Sequence, residues 1–163
     1  MRVVALADTH LRSGSSRRLP DAVLAEVEHA QVVLHAGDVV DGAVLDLLSA
    51  HAPTHAVLGN NDHDLVGTLA ERLVLDLGGV RVGMVHDSGP RQGREGRLRR
   101  MFPDADLVVF GHSHIPWNAP GLDGQWLLNP GSPTQRRSQP HPTFATVDLV
   151  EGQITSVEIV AIG

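Results

Sequence analysis

Short apolar runs alternate with segments of helical periodicity in the first third of the chain, and this alternation constrains the fold more than any other feature. RVVALA (2–7), QVVLHA (31–36) and THAVLG (54–59) have the length and β-branched content of buried strands. Between them, LPDAVLAEVEHA (19–30) and GAVLDLLSA (42–50) space their apolar residues for helices. Strands that alternate with helices predict a parallel sheet with crossover helices.

The second half of the chain departs from this alternation. Gly78 and Gly79 separate RLVLDL from VRVGMV, which is typical of a two-residue hairpin turn. A further helix is predicted through EGRLRRMF, and the strand ADLVVF follows it. The remaining apolar segments are interpreted as an antiparallel set, with a turn at Glu151-Gly152 between the last two: QWLLN, FATVDL and QITSVEIVAI.

These elements together predict an α/β fold. The economical arrangement is two packed mixed β-sheets flanked by helices, a four-layer α/β/β/α sandwich. With 163 residues, of which 42% are hydrophobic, the chain is long enough to form a single domain over residues 1–163. No internal repeat or linker interrupts the pattern.

The composition limits the chemistry that the chain can perform. There is no cysteine, so a metal ion would need His, Asp, Asn or Glu as ligands. Nineteen acidic against thirteen basic residues give a net charge of −6, and we expect neither specific nucleic-acid binding nor attachment to an anionic membrane. No apolar run reaches the length of a membrane span, and no signal-peptide pattern precedes RVVALA. A cytoplasmic enzyme or binding domain is expected.

Metal-competent side chains follow five of the apolar runs, at the point where each run ends. In open α/β sheets, ligands bind in the crevice beyond the carboxyl ends of the strands. Residues i and i+2 of an extended segment point to the same side, so Asp8 with His10, and His112 with His114, are each expected to reach one point. Five such placements predict a metal site. Its candidate ligands are Asp8, His10, Asp38, Asn60, His86, His112 and His114.

The order of these motifs resembles that of the calcineurin-type metallophosphoesterases. The series is DxH at Asp8, GD at Gly37, GN at Gly59, a lone His86 and GHxH at Gly111. The short chain is most similar to the small YfcE-like phosphodiesterases, and the resemblance runs from residue 2 to about residue 135. The segment LLNPGSPTQRR also resembles the Asn-Pro-Gly-Ser segment of this family, which an arginine follows.

The resemblance implies a centre of two divalent transition-metal ions. One ion would be held by Asp8, His10 and His114, the other by Asn60, His86 and His112, with Asp38 bridging both. Asp38, Asn60 and His112 are also assigned to the catalytic set. Mixed nitrogen and oxygen donors suit Mn²⁺, the first choice, or Ni²⁺, Fe²⁺ or Zn²⁺ better than Mg²⁺ or Ca²⁺.

The expected activity is hydrolysis of a phosphodiester. Two ions about 3.5–4 Å apart can bridge a hydroxide and bind the oxygens of a phosphoryl group. Two dications, two aspartates and a hydroxide leave a net positive charge, which would attract a phosphate ester. A phosphomonoesterase or nucleotide pyrophosphatase could use the same residues, and the family also includes a retromer subunit that binds proteins. All seven positions carry metal-competent residues, which favours an enzyme; a homo-oligomer is left open.

Three residues are candidates for substrate binding. Arg12 and Arg136 flank motif segments, where a guanidinium can hold a phosphate oxygen, and Arg137 shares that position. Asn61 is the third candidate, because GNND places it where many relatives have a histidine that protonates the leaving group. Asparagine cannot act as an acid at neutral pH, so good leaving groups are favoured.

Other residues near the motifs have two interpretations. His63 could supply the missing proton, and His35 could support a ligand, but each could instead be an ordinary structural or surface histidine. Asp62 and Asp87 could orient ligands or only stabilise turns. The arginines of the third helix are interpreted as a solvated face rather than a nucleic-acid patch, opposite an apolar face of Leu98, Met101 and Phe102. They are Arg91, Arg94, Arg97, Arg99 and Arg100.

Overall fold

A computed structural model describes residues 1–163 and shows two sheets of five strands each. The first sheet contains β1 (Arg2–Leu6), β2 (Val32–His35), β3 (Thr54–Ala56), β9 (Thr143–Val150) and β10 (Gln153–Ala161). The second contains β4 (Arg72–Leu77), β5 (Val80–Val85), β6 (Leu107–Val109), β7 (Trp117–Pro120) and β8 (Trp126–Asn129). The helices are α1 (Asp21–His29), α2 (Gly42–Ser49) and α3 (Arg94–Met101), and a 3₁₀ turn spans His63–Leu65.

The first sheet has the order β10-β9-β1-β2-β3 and the second the order β4-β5-β6-β8-β7. Strands β1, β2 and β3 run parallel, as their alternation with α1 and α2 predicts. The hairpin at Gly78-Gly79 pairs β4 with β5 in antiparallel register and β5 pairs in parallel with β6, whereas β9 runs antiparallel to β1, so both sheets are mixed. The prediction of two mixed sheets flanked by helices is confirmed.

Alternation along the strands divides the apolar side chains among three clusters. On β1, Val3 and Ala5 face the core between the two sheets, whereas Val4 and Leu6 pack against α1 and α2. Leu98 of α3 and Phe102, which follows the helix directly, cover the outer face of the second sheet. The layers are therefore helix, sheet, sheet and helix, and a fully buried apolar side chain contributes about 1.5–3 kcal/mol to such a core.

The interpretation of the last three apolar segments as one antiparallel set is wrong for the first of them. QWLLN forms β8, which pairs in parallel with β6 in the second sheet, while β9 pairs with β1 and β10 in the first. Strand β7, over WNAP, was not predicted and runs antiparallel to β8. Its alternation of exposed and half-buried residues and its terminal Pro120 mark an edge strand, which carries a weak sequence signal.

The solvated-face interpretation of the third helix is wrong for Arg94. This side chain is buried, with its guanidinium 5.0 Å from the ring centres of both Phe110 and Trp117. The guanidinium of Arg97 donates to the carbonyl oxygens of Ser88 and neighbouring residues of the preceding loop. Guanidinium groups stack on aromatic faces and cap backbone carbonyls, so these two arginines pack the helix instead of solvating it.

None of the helices has the length and apolar character required to cross a bilayer.

Candidate metal centre

The candidate ligands lie together beyond the carboxyl ends of β1, β2, β3, β5 and β6. Close approach of these strand ends requires the glycines of the GN and GHxH motifs. A Cβ on Gly59 would stand 2.2 Å from the backbone nitrogen of Asp38, and one on Gly111 would stand 2.8 Å from the Cβ of Ala7. The glycines of the GN and GHxH motifs therefore let adjacent strand ends bring their ligands to one place.

Five of the seven ligands have a backbone conformation that L-residues rarely adopt. Their φ angles are positive: Asp8 55°, His10 44°, Asp38 57°, His112 71° and His114 61°. Such conformations cost on the order of 1–3 kcal/mol each and concentrate at functional sites. The rest of the fold therefore stabilises these strained conformations, which direct the five ligand side chains toward the centre.

Asp8, His10 and His114 form the first group of donors. The Nε2 atoms of the two histidines are 3.2 Å apart, and Oδ1 of Asp8 lies 3.6 Å from Nε2 of His114 and 3.9 Å from Nε2 of His10. Their donor atoms all lie within 4.8 Å of one another, a span that one metal ion can bridge.

Asn60, His86 and His112 form the second group. Oδ1 of Asn60 is 3.0 Å from both Nε2 of His86 and Nδ1 of His112, and the two ring nitrogens are 3.3 Å apart. The two groups are the ones that the family resemblance implies.

Asp38 lies between the two groups. Its Oδ2 is 3.4 Å from Nε2 of His10 and 3.5 Å from Nε2 of His86. Asp8 also approaches both groups, because its Oδ1 is 4.0 Å from Nε2 of His86. Asp8, Asp38 and His86 thus form a further cluster of donors that could share an ion, which the resemblance alone did not indicate.

The facing atoms of the centre are acceptors, and this fits a cation. The Nδ1 atoms of His86 and His114 contact the backbone oxygens of Ala36 and Gln135 at 2.7 Å, so in the neutral rings Nε2 carries the lone pair. Nε2 of His86 nevertheless lies near the oxygens of Asn60 and Asp38. Neither carboxylate oxygen of Asp8 has a hydrogen-bond partner although both are buried. Lone pairs that converge in this way suit a metal ion.

The pKa values of the acidic ligands reflect the same environment. Burial raises the pKa of Asp8 to about 7, against a lowering influence of His86. Burial also acts to raise the pKa of Asp38, but hydrogen bonds with His86 and Asn61 outweigh it and the pKa is lowered. A bound cation would favour the charged form of both carboxylates.

The histidine pKa values move in both directions. Burial lowers the pKa of His114 to about 4 and also lowers that of His10. Burial acts in the same direction on His86, but Asp38 and Asp8 outweigh it and raise its pKa. Neutral His10 and His114 are in the protonation state that a metal ligand needs.

Asp62 acts as a buried clamp beneath the centre. Its carboxylate accepts hydrogen bonds from the backbone N–H groups of Asp38, Val40 and Gly59, at 2.9, 2.7 and 2.7 Å. The interpretation that Asp62 orients a ligand fits this geometry, because two of the three N–H groups belong to the segment that carries Asp38. Asp87 differs, because its carboxylate accepts from the backbone of Gly89 and serves a turn.

Two further contacts support the ligands from outside, and the sequence indicated only the one that involves His35. Nε2 of buried His35 is 3.1 Å from the hydroxyl of Thr9, which stands between two ligands. The hydroxyl of Ser132, in the Asn-Pro-Gly-Ser segment, donates to the backbone oxygen of Asp8. The position of Thr9 inside the DxH motif was the available signal for the first contact; nothing local in the sequence indicated which backbone oxygen Ser132 would reach.

The expectation that residues i and i+2 reach one point holds for Asp8 with His10, whose donor atoms share the first group, but it is wrong for His112 with His114. His112 lies in the second group and His114 in the first, because both residues have positive φ and lie beyond the end of β6. The i, i+2 spacing places the two rings on neighbouring groups instead of at one point.

The candidate substrate residues have different surroundings. Arg12 and Asn61 line a cavity beside His10, whereas Arg136 does not line that cavity and its guanidinium donates to the backbone oxygen of Gln139. The positive charge of Arg137, the residue after Arg136, lowers the pKa of Asp8, His10 and His114. Arg137 therefore acts on the centre through its charge. His63 is exposed and lines neither cavity next to the ligands.

Comparison with known proteins agrees with this geometry. The model of the calcineurin-like phosphoesterase superfamily domain matches residues 1–152. A probable metallophosphoesterase of Methanothermobacter thermautotrophicus is 32% identical over 100% of this chain and 94% of the relative. A probable metallophosphoesterase of Methanocaldococcus jannaschii is 34% identical over 84% of this chain and 70% of that protein.

Solved structures share the fold. Vps29 of Entamoeba histolytica, solved as a complex with zinc, superposes with a TM-score of 0.78 at 24% identity, over 99% of this chain and 98% of that one. A Thermotoga maritima protein solved by NMR gives a TM-score of 0.73 at 28% identity, over 99% of both chains. The family implies divalent metal ions and the residues above form candidate ligand groups for them. With the motif order, these matches place the chain in the calcineurin-like phosphoesterase superfamily and support a metal-dependent phosphoesterase activity.

Proposed function

We propose that the protein hydrolyses phosphodiesters at a binuclear centre formed by the two donor groups and Asp38. The observation that carries this proposal is the position of Asp38, whose Oδ2 lies 3.4 Å from a histidine of one group and 3.5 Å from a histidine of the other. A carboxylate between two sets of nitrogen and oxygen donors is suited to hold two cations near each other.

The chain's own residues would hold two ions and orient a phosphate ester. Asp8, His10 and His114 would bind one ion, and Asn60, His86 and His112 the other. When bound, divalent ions supply Lewis-acid activation of water and of the phosphoryl oxygens. The backbone and side-chain amides of Asn61 donate to Oδ1 and Oδ2 of Asp38 at 2.8 and 2.7 Å, which keeps this carboxylate ionised and oriented.

Diester rather than monoester hydrolysis is supported by the two cavities beside the centre. A cavity of about 410 Å³ includes His10, and another of about 330 Å³ includes Asn60, His86 and His112. A diester has two organic arms, and each cavity can receive one. A monoester would use only one of them.

Mn²⁺ is the proposed ion, with Ni²⁺, Fe²⁺ or Zn²⁺ as alternatives. Four imidazole nitrogens and the oxygens of Asp8, Asp38 and Asn60 form a donor set typical of such ions and unlike the all-oxygen shells of Ca²⁺. The substrate is a phosphate ester, and the net charge of −6 gives no reason to expect a nucleic-acid duplex.

The test is hydrolysis of bis(4-nitrophenyl) phosphate and of 4-nitrophenyl phosphate by chelator-stripped protein reconstituted with each metal. We expect close to two metal ions per chain by elemental analysis and faster turnover of the diester. A stoichiometry of zero with all seven ligands intact would refute the centre, and faster turnover of the monoester would refute the diester assignment. The alternative function is a scaffold that binds proteins without hydrolysis. That function gives no reason for seven metal-competent side chains to converge at one place.

A further inference from the structure

The two cavities beside the centre differ in charge. The cavity that includes His10, which we call the His10 cavity, is also lined by Arg12, Ser15, Ser16, Arg17 and Asn61. It contains two guanidinium groups and no acid. The other, the His86 cavity, is lined by Glu71, Arg72 and Asp87 besides the ligands of the second group. Its charged residues sum to one negative charge.

Neither arginine of the His10 cavity has an internal partner. No carboxylate lies within 4.0 Å of the guanidinium of Arg12 or Arg17, and neither donates a side-chain hydrogen bond. Asp41 is close in the fold, but its carboxylate accepts from the hydroxyl and backbone of Ser13 and from the backbone of Ala43. Its hydrogen bonds therefore anchor the loop that carries the arginines, and it makes no ion pair with either guanidinium although it lines a separate cavity with Arg12.

Two exposed guanidinium groups without an internal partner line the same cavity and are therefore available to bind an anion. Arginine presents five N–H donors in a planar fork, which matches the oxygens of a phosphate. The hydroxyl groups of Ser15 and Ser16 add donors in the same cavity. The volume of about 410 Å³ leaves room for a phosphate together with the group that links it to the centre.

We propose that the His10 cavity binds a second phosphate of the substrate, carried on the arm of the ester that points toward His10. The substrate class would then be phosphate esters with a second phosphate group on one arm. The opposite arm would occupy the His86 cavity, whose negative charge disfavours an anion there. This inference rests on the proposed function, because it assumes that the scissile phosphate lies at the centre.

The experiment compares two diesters that differ only in the second phosphate. Thymidine 5′-(4-nitrophenyl phosphate) and its 3′-phosphorylated derivative share the scissile bond and the leaving group. An exposed charge pair contributes up to about fivefold in affinity, so two arginines should give the phosphorylated diester about tenfold higher kcat/KM, mostly through KM. The preference should shrink as salt is raised.

Variants locate the preference in the cavity. In Arg17→Gln and in Arg12→Gln the ratio of kcat/KM between the two diesters should fall severalfold toward one. Arg18→Gln is the matched control, since Arg18 is the next exposed arginine and does not line the His10 cavity. Its ratio should equal that of the wild type. Equal kcat/KM for both diesters in the wild type, or an undiminished ratio in Arg17→Gln and Arg12→Gln, would overturn the inference.

A binding measurement separates this inference from the proposed function. Isothermal titration calorimetry of metal-loaded protein with thymidine 3′,5′-bisphosphate and with thymidine 5′-phosphate requires no turnover. Tighter binding of the bisphosphate by about tenfold, lost in Arg17→Gln, supports the cavity even if neither diester is hydrolysed. Equal affinities overturn it even if both diesters are hydrolysed.

Discussion

The side-chain amide of Asn61 donates a 2.7 Å hydrogen bond to Oδ2 of Asp38, the carboxylate that lies between the two donor groups. The backbone N–H of the same residue donates to Oδ1 at 2.8 Å. The position at which many relatives carry a histidine is therefore occupied here by a group that orients a ligand and has no proton to give a leaving group.

This contact predicts a steep dependence of rate on the leaving group. Aryl phosphodiesters should be hydrolysed appreciably and alkyl diesters much more slowly, because general acid catalysis, typically worth about 10²–10⁴-fold, is missing at this position. The measurement is log kcat against leaving-group pKa in the wild type and in Asn61→His, which should have a shallower slope.

Asn61→Ala is the control for that series. It removes the contact with Asp38 without adding an acid, so it should lower all rates and leave the slope steep. A shallow slope in the wild type that Asn61→His does not change would mean that another acid, such as His63, already protonates the leaving group.

Asp38→Asn should be the most damaging single ligand substitution. It removes a charge between the two groups and leaves the amides of Asn61 facing an amide instead of a carboxylate. We expect the loss of at least one bound metal ion and a fall in kcat of several orders of magnitude. Elemental analysis and diester hydrolysis measure both, and the exposed Asp46→Asn on α2 is the control. Wild-type metal content and turnover in Asp38→Asn would rule out the bridging role.

Asp62→Asn should weaken the centre without removing a ligand. The amide can accept through one oxygen only, so at least one of the backbone N–H groups of Asp38, Val40 and Gly59 loses its partner. We expect a loss of about 1–3 kcal/mol in the free energy of unfolding of the metal-free protein, together with lower metal affinity. Urea denaturation and calorimetry test this, with the exposed Asp64→Asn as control. Unchanged metal affinity in Asp62→Asn would show that the Asp62 carboxylate does not position the ligands.

Asp8 should make the stability of the metal-free protein depend on pH. Its pKa is raised from 3.8 to about 7 by burial, so the folded state binds a proton that the unfolded state releases. Its contribution to stability is complete below about pH 4 and is lost as pH rises through about 7, a difference on the order of 2–4 kcal/mol.

Asp8→Asn tests that dependence. At pH 8 and without metal the variant should be more stable than the wild type, because it removes a buried charge whose oxygens have no partner. It should also lose metal affinity, so added Mn²⁺ should raise the melting temperature of the wild type and not that of the variant. A metal-free variant that is less stable than the wild type at pH 8 would contradict the prediction.

Much of the fold could be predicted because its signals are local. The alternation of β1, β2 and β3 with α1 and α2 appears in the spacing of apolar residues, and the hairpin between β4 and β5 in its two glycines. The pairing of β8 with β6 was not predictable, since five short strands of similar composition can be ordered in several ways. Long-range pairing depends on which faces are buried together, and a short segment does not encode that alone.

The sequence by itself determined which residues could be ligands and at which strand ends they stand, because side-chain chemistry and strand periodicity are local properties. Only the tertiary structure decided which ligands face each other. His112 and His114 are separated by one residue yet lie in different groups, because positive φ angles turn the backbone beyond β6. Asn61 and Asp38 are 23 residues apart and follow two different strands, so their contact exists only after the parallel sheet has brought the ends of β2 and β3 together.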